Sequence, residues 1–381
     1  MRALHVITGL GVGGAEQQLR LMLRHLPVRC DVVTLTNPGA VAEGLRADGV
    51  RVHHLGMRGN RDLAAVPRLA RLIRRGAYDL VHTHLYRACV YGRIAARLAG
   101  TTAVSTEHSL GDAEIEGRPL TRGTRELYLR TERMGAATVA VSDTVAGRLR
   151  DWGVPAARIH TVPNGIDAAA FRYDDGRRRS TRALLRVPDG AFVVGGVGRL
   201  VPGKRFDLLI RAVSGVPGAW LVLAGEGPEA ASLRALAARL GVGGRVRFLG
   251  ECGTADGSPG IPAVLSAVDL FVSASREESF GLAAVEALAA GLPVLYAACP
   301  AIEDLPADRA PGAGRIGSPS ATADPTAELT AALRLRMARG AHRLPPPPAV
   351  DHYDIRLSSR RLMDVYAHAI DTVPSTERAH P

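Results

Sequence analysis

Short apolar, β-branched runs alternate with amphipathic stretches along most of the chain, and the alternation stops and restarts once. In the first half, residues 4–8, 31–35, 51–55, 79–83, 103–106 and 137–141 read as strands, with helical periodicity at 15–26, 63–74, 88–98 and 143–152 between them. Strand and helix in alternation predict a parallel sheet with helices on both faces. The pattern pauses at the Pro-Asn-Gly turn of VPNGID (162–167) and the polar run YDDGRRRST (173–181). It resumes with strands at 192–197, 220–224, 246–249, 270–273 and 293–296, and helices near 206–213, 229–240, 282–290 and 327–339. The expectation is an α/β protein of two Rossmann-like, doubly wound parallel-sheet domains facing across a cleft, the first over residues 1–168 and the second over 169–350. LPPPPA (344–349) reads as a stiff spacer, and residues 351–381 as a C-terminal helix crossing back to the first domain, followed by a tail.

Composition narrows the classes of function. A chain of 381 residues exceeds what one core usually supports, which agrees with two domains. The most apolar window, 282–299, is interrupted by Glu286, Gly291 and Pro293 and is no membrane span. The opening MRALHVITGL runs straight into glycine-rich sequence, so it reads as a buried strand and not as a leader. A net charge of +11 suits nucleic acid, an anionic membrane face or a phosphorylated substrate. No aromatic-and-basic platform or groove-reading helix is visible, so no nucleic acid partner is expected; a peripheral membrane contact stays open. Cys30, Cys89, Cys252 and Cys299 stand singly, without zinc or disulfide spacing, and a reducing cytoplasm is the expected location. Lys204 is the only lysine.

Three constellations carry candidate chemistry. GLGVGGAEQQ (9–18) follows the first strand and opens a helix; Gly11, Gly13 and Gly14 allow an anion to approach the helix N-terminus, although such a turn also serves tight strand-to-helix packing. GVGRLVPGKRFD (196–207) brackets a Pro-Gly turn with Arg199 and Lys204, a fork and a point charge suited to a diphosphate; a solvated basic turn is the plainer reading. In SREESFGLAAVEALAAGLPV (275–294), Glu278 lies near a helix start and Glu286 sits among Ala, Val and Leu. A carboxylate in such surroundings needs partners, and sugar hydroxyls are suitable ones.

The ordered set of GxGGAE, the TEH segment at 106–108, PNGID, GRLxPGKR, AGEGP, the E-x7-E arrangement and the final GLPV resembles family 4 of the retaining glycosyltransferases, from Val6 to about Ala369. The resemblance implies the GT-B architecture, with an acceptor domain first and a nucleotide-sugar donor domain second. It implies that Gly13 and Gly14 lie under the donor diphosphate and that Arg199 and Lys204 neutralise it. Glu286 would hold the ribose, and Glu278 the hydroxyls of the transferred sugar, assisted by amides around Phe280, Gly281 and Leu282. Glu251, after Phe248-Leu249-Gly250, would face the base, although the inserted ECGTADGSPGIP departs from the family pattern. His84, Glu107 and His108 would lie on the acceptor side, with His108 also near the donor sugar.

The function implied is retaining transfer of a hexosyl or N-acetylhexosaminyl group from a nucleoside-diphosphate sugar, a UDP-sugar such as UDP-GlcNAc by family frequency, to an acceptor hydroxyl. The acceptor would be a glycan, a lipid-linked sugar or a natural product such as an aminoglycoside. No metal and no cofactor beyond the sugar nucleotide is expected, since no Asp-x-Asp pair occurs. Arg199, Lys204, Glu278 and His108 form the expected catalytic set. The alternatives are a nucleotide-sugar epimerase on the same fold and a non-catalytic sugar-nucleotide binding protein. A phosphorylase would need a second lysine for pyridoxal phosphate.

Overall fold

Strand β1 (Arg2–Gly9) buries both of its faces, Leu4 and Val6 one way and Ala3, His5 and Ile7 the other. That alternation organises the first unit of the computed structural model, which describes residues 1–111, 114–115, 118–253, 258–317 and 324–371. The unit comprises Met1–Gly165 together with the chain from Ile355 onward. Its strands continue as β2 (Arg29–Asn37), β3 (Arg51–His54), β4 (Leu80–His84) and β5 (Thr102–Glu107), then a two-strand hairpin β6 (Glu114–Ile115) and β7 (Arg118–Pro119), then β8 (Ala137–Ala140) and β9 (Ile159–Thr161). Seven of them form one parallel sheet in the order β3-β2-β1-β4-β5-β8-β9. The order reverses between β1 and β4, where His5 pairs in register with His82.

The helices of this unit are α1 (Gly14–His25), α2 (Gly39–Ala47), α3 (Ala65–Gly76), α4 (Tyr86–Ala99), α5 (Arg122–Glu132) and α6 (Asp143–Trp152). Leu4, Val6, Val33 and Val81 pack with residues of α3 and α4 on one face. Ala3, Ile7, Val32, Leu80, Val104 and Val139 pack on the other with α1 and with the last helix of the chain. Gly165 of the PNGID segment is where that last helix comes closest, since a Cβ there would sit 2.5 Å from Ile355 Cα.

The second unit, Ile166–Asp354, holds α7 (Ala168–Phe171), α8 (Asp175–Leu184), β10 (Phe192–Val197), α9 (Phe206–Ser214), β11 (Ala219–Ala224), α10 (Ala230–Arg239), β12 (Val246–Phe248), α11 (Ile261–Ala267), β13 (Leu270–Ser273), α12 (Leu282–Ala289), β14 (Val294–Tyr296), α13 (Pro300–Glu303), β15 (Ala313–Arg315), α14 (Pro325–Ala338) and α15 (Pro348–His352). Its six strands are parallel, in the order β12-β11-β10-β13-β14-β15, with the reversal between β10 and β13. The chain then enters α16 (Ile355–Asp371), the helix that packs in the first unit.

Two stretches differ from the pattern along the chain. The polar run at 173–181 forms most of α8, because Arg178 and Arg182 reach Asp269 at 2.6 and 2.7 Å and Asp269 also accepts from Val193 N–H. The proline-rich stretch does not act as a free spacer. Arg343 donates to the carbonyls of Ala290, Leu265, Ser266 and Val268, and Leu344 N–H donates to Gly291. Among the described residues, no helix is long and apolar enough to cross a membrane.

Candidate active site

In the second unit, the turns after β10 and β13 leave the carboxyl ends of two neighbouring strands, at the reversal point where doubly wound sheets bind ligands. The turn after β10 carries Arg199 and Lys204. Backbone hydrogen bonds hold it: Gly198 N–H donates to Ala224, Leu200 N–H to Glu226 and Glu229 N–H back to Leu200, each at 2.9 Å. Gly225 makes this approach feasible, with φ +135° and a Cβ position that would collide with Gly198 O. The AGEGP glycines thus serve the basic turn directly.

Lys204 Nζ lies 2.5 Å from Glu278 Oε1, so the two motifs meet. Both side chains are partly exposed, at 30 % and 15 %. Arg199 is exposed, and its side chain has no hydrogen-bond or ion-pair partner among the described residues. Glu286 is half-buried on α12, its carboxylate likewise without a partner among them, and burial pushes that carboxyl from 4.5 up to about 7. An ionised carboxylate in that place has the hydrogen-bonding capacity a ribose would use.

Gly281 caps α12 with φ +99°, where a Cβ would lie 2.5 Å from Cys299 Sγ. Phe280 is buried with its ring edge-on to Tyr353, 4.9 Å between centroids, so its side chain packs inside the unit and only its backbone belongs to the turn. Leu282 begins the helix and is partly buried. Glu251 is exposed beyond Gly250, and part of the inserted loop after it, residues 254–257, lies outside the described residues.

In the first unit, Gly13 is the N-cap of α1 in extended backbone and Gly14 is its first residue; a Cβ on Gly13 would meet the carboxylate of Glu16. Four histidines line up across one face of the sheet. His5 Nδ1 lies 3.0 Å from His84 Nε2, and His84 Nδ1 lies 3.1 Å from His108 Nε2. His82 sits alongside, its Nδ1 2.6 Å from Tyr366 OH of α16 and its Nε2 2.7 Å from Thr106 Oγ1. Burial pushes all four down: His5 to about 3, His108 to about 4, and His82 and His84 well below their ordinary value. The array is therefore neutral at pH 7. His82, His84, Thr106 and His108 line a small cavity together with Gln18 and Asn164.

Glu107 is not brought to these histidines. It alternates to the other side of β5, buried, where it accepts from Tyr128 OH at 2.8 Å with Arg93 3.9 Å away. His5 belongs to the array but carries no motif; its signal is a single polar ring inside the apolar run Leu4–Ile7, one strand away from an HxH pair. Among the described residues, His5, His82 and His84 could each turn one ring nitrogen to a common metal, these atoms lying within 4.8 Å of one another. Both nitrogens of His82 are already engaged by Tyr366 and Thr106, so ligation there would break a hydrogen bond.

The family model described as Glycosyltransferase Family 4 matches residues 12–170, and the one described as Glycosyl transferases group 1 matches residues 178–333. A D-inositol 3-phosphate glycosyltransferase of Salinispora tropica is 32 % identical over 327 residues, 77 % of this chain and 65 % of its own length. One of the same description from Mycobacterium bovis is 34 % identical over 238 residues, 58 % of this chain and 48 % of its own. The chain thus spans between about half and two thirds of the curated relatives it matches. Among solved structures, Anabaena Alr3699/HepE in complex with UDP and glucose aligns over 96 % of this chain and 99 % of its own, with TM-score 0.81 and 22 % identity. Sucrose-phosphate synthase of Thermosynechococcus elongatus aligns over 97 % of each chain with TM-score 0.68 and 19 % identity. At these identities the solved structures speak for the fold.

Proposed function

The chain belongs to the group 1, family 4 glycosyltransferases, and from that premise we propose that it transfers a sugar, with retention, from a UDP-sugar to an acceptor hydroxyl without needing a divalent metal. The observation that carries this reading is the meeting of Lys204 with Glu278 at the reversal point of the second sheet, beside an unpartnered Arg199. A partly buried Glu286 without a partner among the described residues supports the nucleotide end of the assignment. The HepE structure was solved with UDP, which makes UDP the first nucleotide to test.

In this reading the anomeric C–O bond to the diphosphate breaks, the acceptor oxygen bonds that carbon on the same face, and its proton passes to a leaving phosphate oxygen. Arg199 and Lys204 stabilise the charge developing on the diphosphate. Lys204 exchanges its contact with Glu278 for phosphate oxygens, freeing Glu278 for sugar hydroxyls, while Glu286 accepts from the ribose. Gly13 and Gly14 leave backbone open to the diphosphate, and His108 serves the sugar and acceptor as a neutral ring.

The test is a panel of nucleotide sugars screened by nucleotide release, with D-inositol 3-phosphate among the acceptors because two relatives are named for it. Product anomers are read by proton NMR, with and without chelator. Retained configuration and chelator-insensitive turnover are expected. An inverted product, or activity that returns only with magnesium or manganese, overturns the corresponding part. Conversion of the donor's own sugar without any acceptor would instead identify an epimerase.

A further inference from the structure

His5, His84 and His108 are joined by two nitrogen–nitrogen contacts of 3.0 and 3.1 Å, and the chain they form has two loose ends. His5 Nε2 and His108 Nδ1 are both buried, and neither has a hydrogen-bond partner among the described residues. We propose that His5 and His84 are positioning residues that fix the tautomer of His108, so that its Nδ1 is presented as a hydrogen-bond donor.

The inference is proton counting. A neutral imidazole carries one N–H, and each nitrogen–nitrogen contact needs one hydrogen between its atoms. Three neutral rings hold three hydrogens, and two contacts use two of them. The third must stand at one loose end, on His5 Nε2 or on His108 Nδ1. Moving it from one end to the other reverses both hydrogen bonds, so the three tautomers are set together.

Surroundings choose the end. His108 is among the residues lining the cavity by the carboxyl ends of β4 and β5, whereas His5 is not, so a ligand oxygen can reach this chain of rings only at the His108 end, by displacing what buries Nδ1 there. A buried N–H left without an acceptor is rarer, and costlier, than an unfilled lone pair. Once a ligand oxygen meets His108, the favoured arrangement leaves a bare lone pair on His5 Nε2. His5 Nδ1–H then donates to His84 Nε2, His84 Nδ1–H donates to His108 Nε2, and His108 Nδ1–H is left for the ligand oxygen. His82 does not compete, although its ring lies 4.2 Å from that of His84, because both its nitrogens are engaged by Tyr366 and Thr106. His84 uses both nitrogens and so has no substitute, while His5 uses only Nδ1.

The tautomer inference stands apart from the transferase reading; it borrows from it only the idea that His108 meets a ligand oxygen. Full-length protein labelled with 15N-histidine, with UDP-glucose present as the probe that carries a sugar, gives the direct test, each ring being assigned from single His→Gln variants. His108 is expected in the Nδ1–H form, and a Nε2–H or cationic ring overturns the proposal. His5→Leu should turn the His108 signal into a mixture of tautomers and lower kcat about tenfold, the worth of one hydrogen bond, with little change in KM for the donor. His5→Asn, whose amide can donate from the place of Nδ1, should restore the signal. A His5→Leu protein with an unchanged His108 tautomer overturns the proposal. If that variant does not fold, the wild-type spectrum still decides. A zinc titration that shifts His5, His82 and His84 together would make the array a metal site, and would overturn the proposal as well.

Discussion

Lys204 and Glu278 are 74 residues apart in sequence and 2.5 Å apart in space, the only lysine of the chain against the first carboxylate of its E-x7-E pair. Each group holds the other in place while no donor is bound. Lys204→Ala is expected to lower transfer about 100-fold, the scale of losing one charge-stabilising group in a site. Lys204→Arg should fall between it and wild type, since a guanidinium keeps the charge but not the compact shape. Acetylation with mass mapping of the Lys204 peptide gives an independent check: UDP should protect this lysine, and full acetylation with undiminished turnover would remove it from the mechanism.

Glu286 should make both stability and nucleotide affinity depend on pH, in opposite directions. Its folded pKa is raised from 4.5 to about 7 by burial. Between these values the unfolded chain gives up its proton before the folded one does, so this group's contribution to stability falls as pH rises through the window and is constant above it. A ribose hydroxyl donating to the carboxylate favours the ionised form, so UDP should bind more tightly at pH 8 than at pH 6. Glu286→Gln is expected to flatten both profiles and to weaken UDP at pH 8 by about 5–30-fold, one charge-assisted hydrogen bond. Calorimetry at three pH values checks this, and a pH-independent UDP affinity in the wild type contradicts it.

Glu107 ends β5 and His108 follows it, the two side chains turning to opposite sides of the sheet, and their substitutions should separate cleanly. Glu107→Ala leaves Arg93 buried without its counter-charge, a loss of about 3–5 kcal/mol that thermal unfolding would register. His108→Ala should cost less stability, about 1–3 kcal/mol for the buried His84 N–H left without its acceptor, and lower turnover far more than it weakens UDP binding. A Glu107→Ala protein of normal stability and impaired turnover would return Glu107 to the acceptor side.

Gly225 touches no proposed ligand, yet Gly225→Ala should impair donor use. A Cβ there meets the backbone of Gly198, and φ +135° is hostile to alanine in any case. The clash falls on the turn that carries Arg199 and Lys204. A rise in UDP dissociation constant of about tenfold, with the fold retained, is the expected result.

The strand positions were legible because parallel strands buried on both faces leave continuous apolar runs. Asp143–Trp152 shows how well local signals can work: Ser142 caps the helix through Val145 N–H, and Gly153 closes it at φ +102°. Helix α8 was illegible for the opposite reason. Asp174 caps it locally through Arg177 N–H, but Arg178 and Arg182 are held by Asp269, about ninety residues away, and nothing near 173–181 announces that partner. The site divides in the same way. Arg199, Lys204, Glu278 and Glu286 stand in motifs whose residue types declare their chemistry. His5 sits in an ordinary buried strand, and only the pairing of β1 with β4 brings it to His82 and His84. Glu107 shows the converse, a motif member that strand alternation turns away from its neighbour.

The closing helix gives the two units different histories on the ribosome. The second unit is one unbroken segment, Ile166–Asp354, and can fold as soon as it has emerged. The first has all seven strands of its sheet by Thr161, but Ile355, Leu362, Val365 and Tyr366 of α16 belong to its core. Until those residues are translated, one face of that sheet is covered only in part, by α1 and its neighbours, and His82 lacks the tyrosine hydroxyl that engages Nδ1. Nearly two hundred codons separate the last strand from its cover, an interval of roughly 10–40 s at about 5–20 residues per second. During it the nascent sheet is the part of the molecule a chaperone would have to shield.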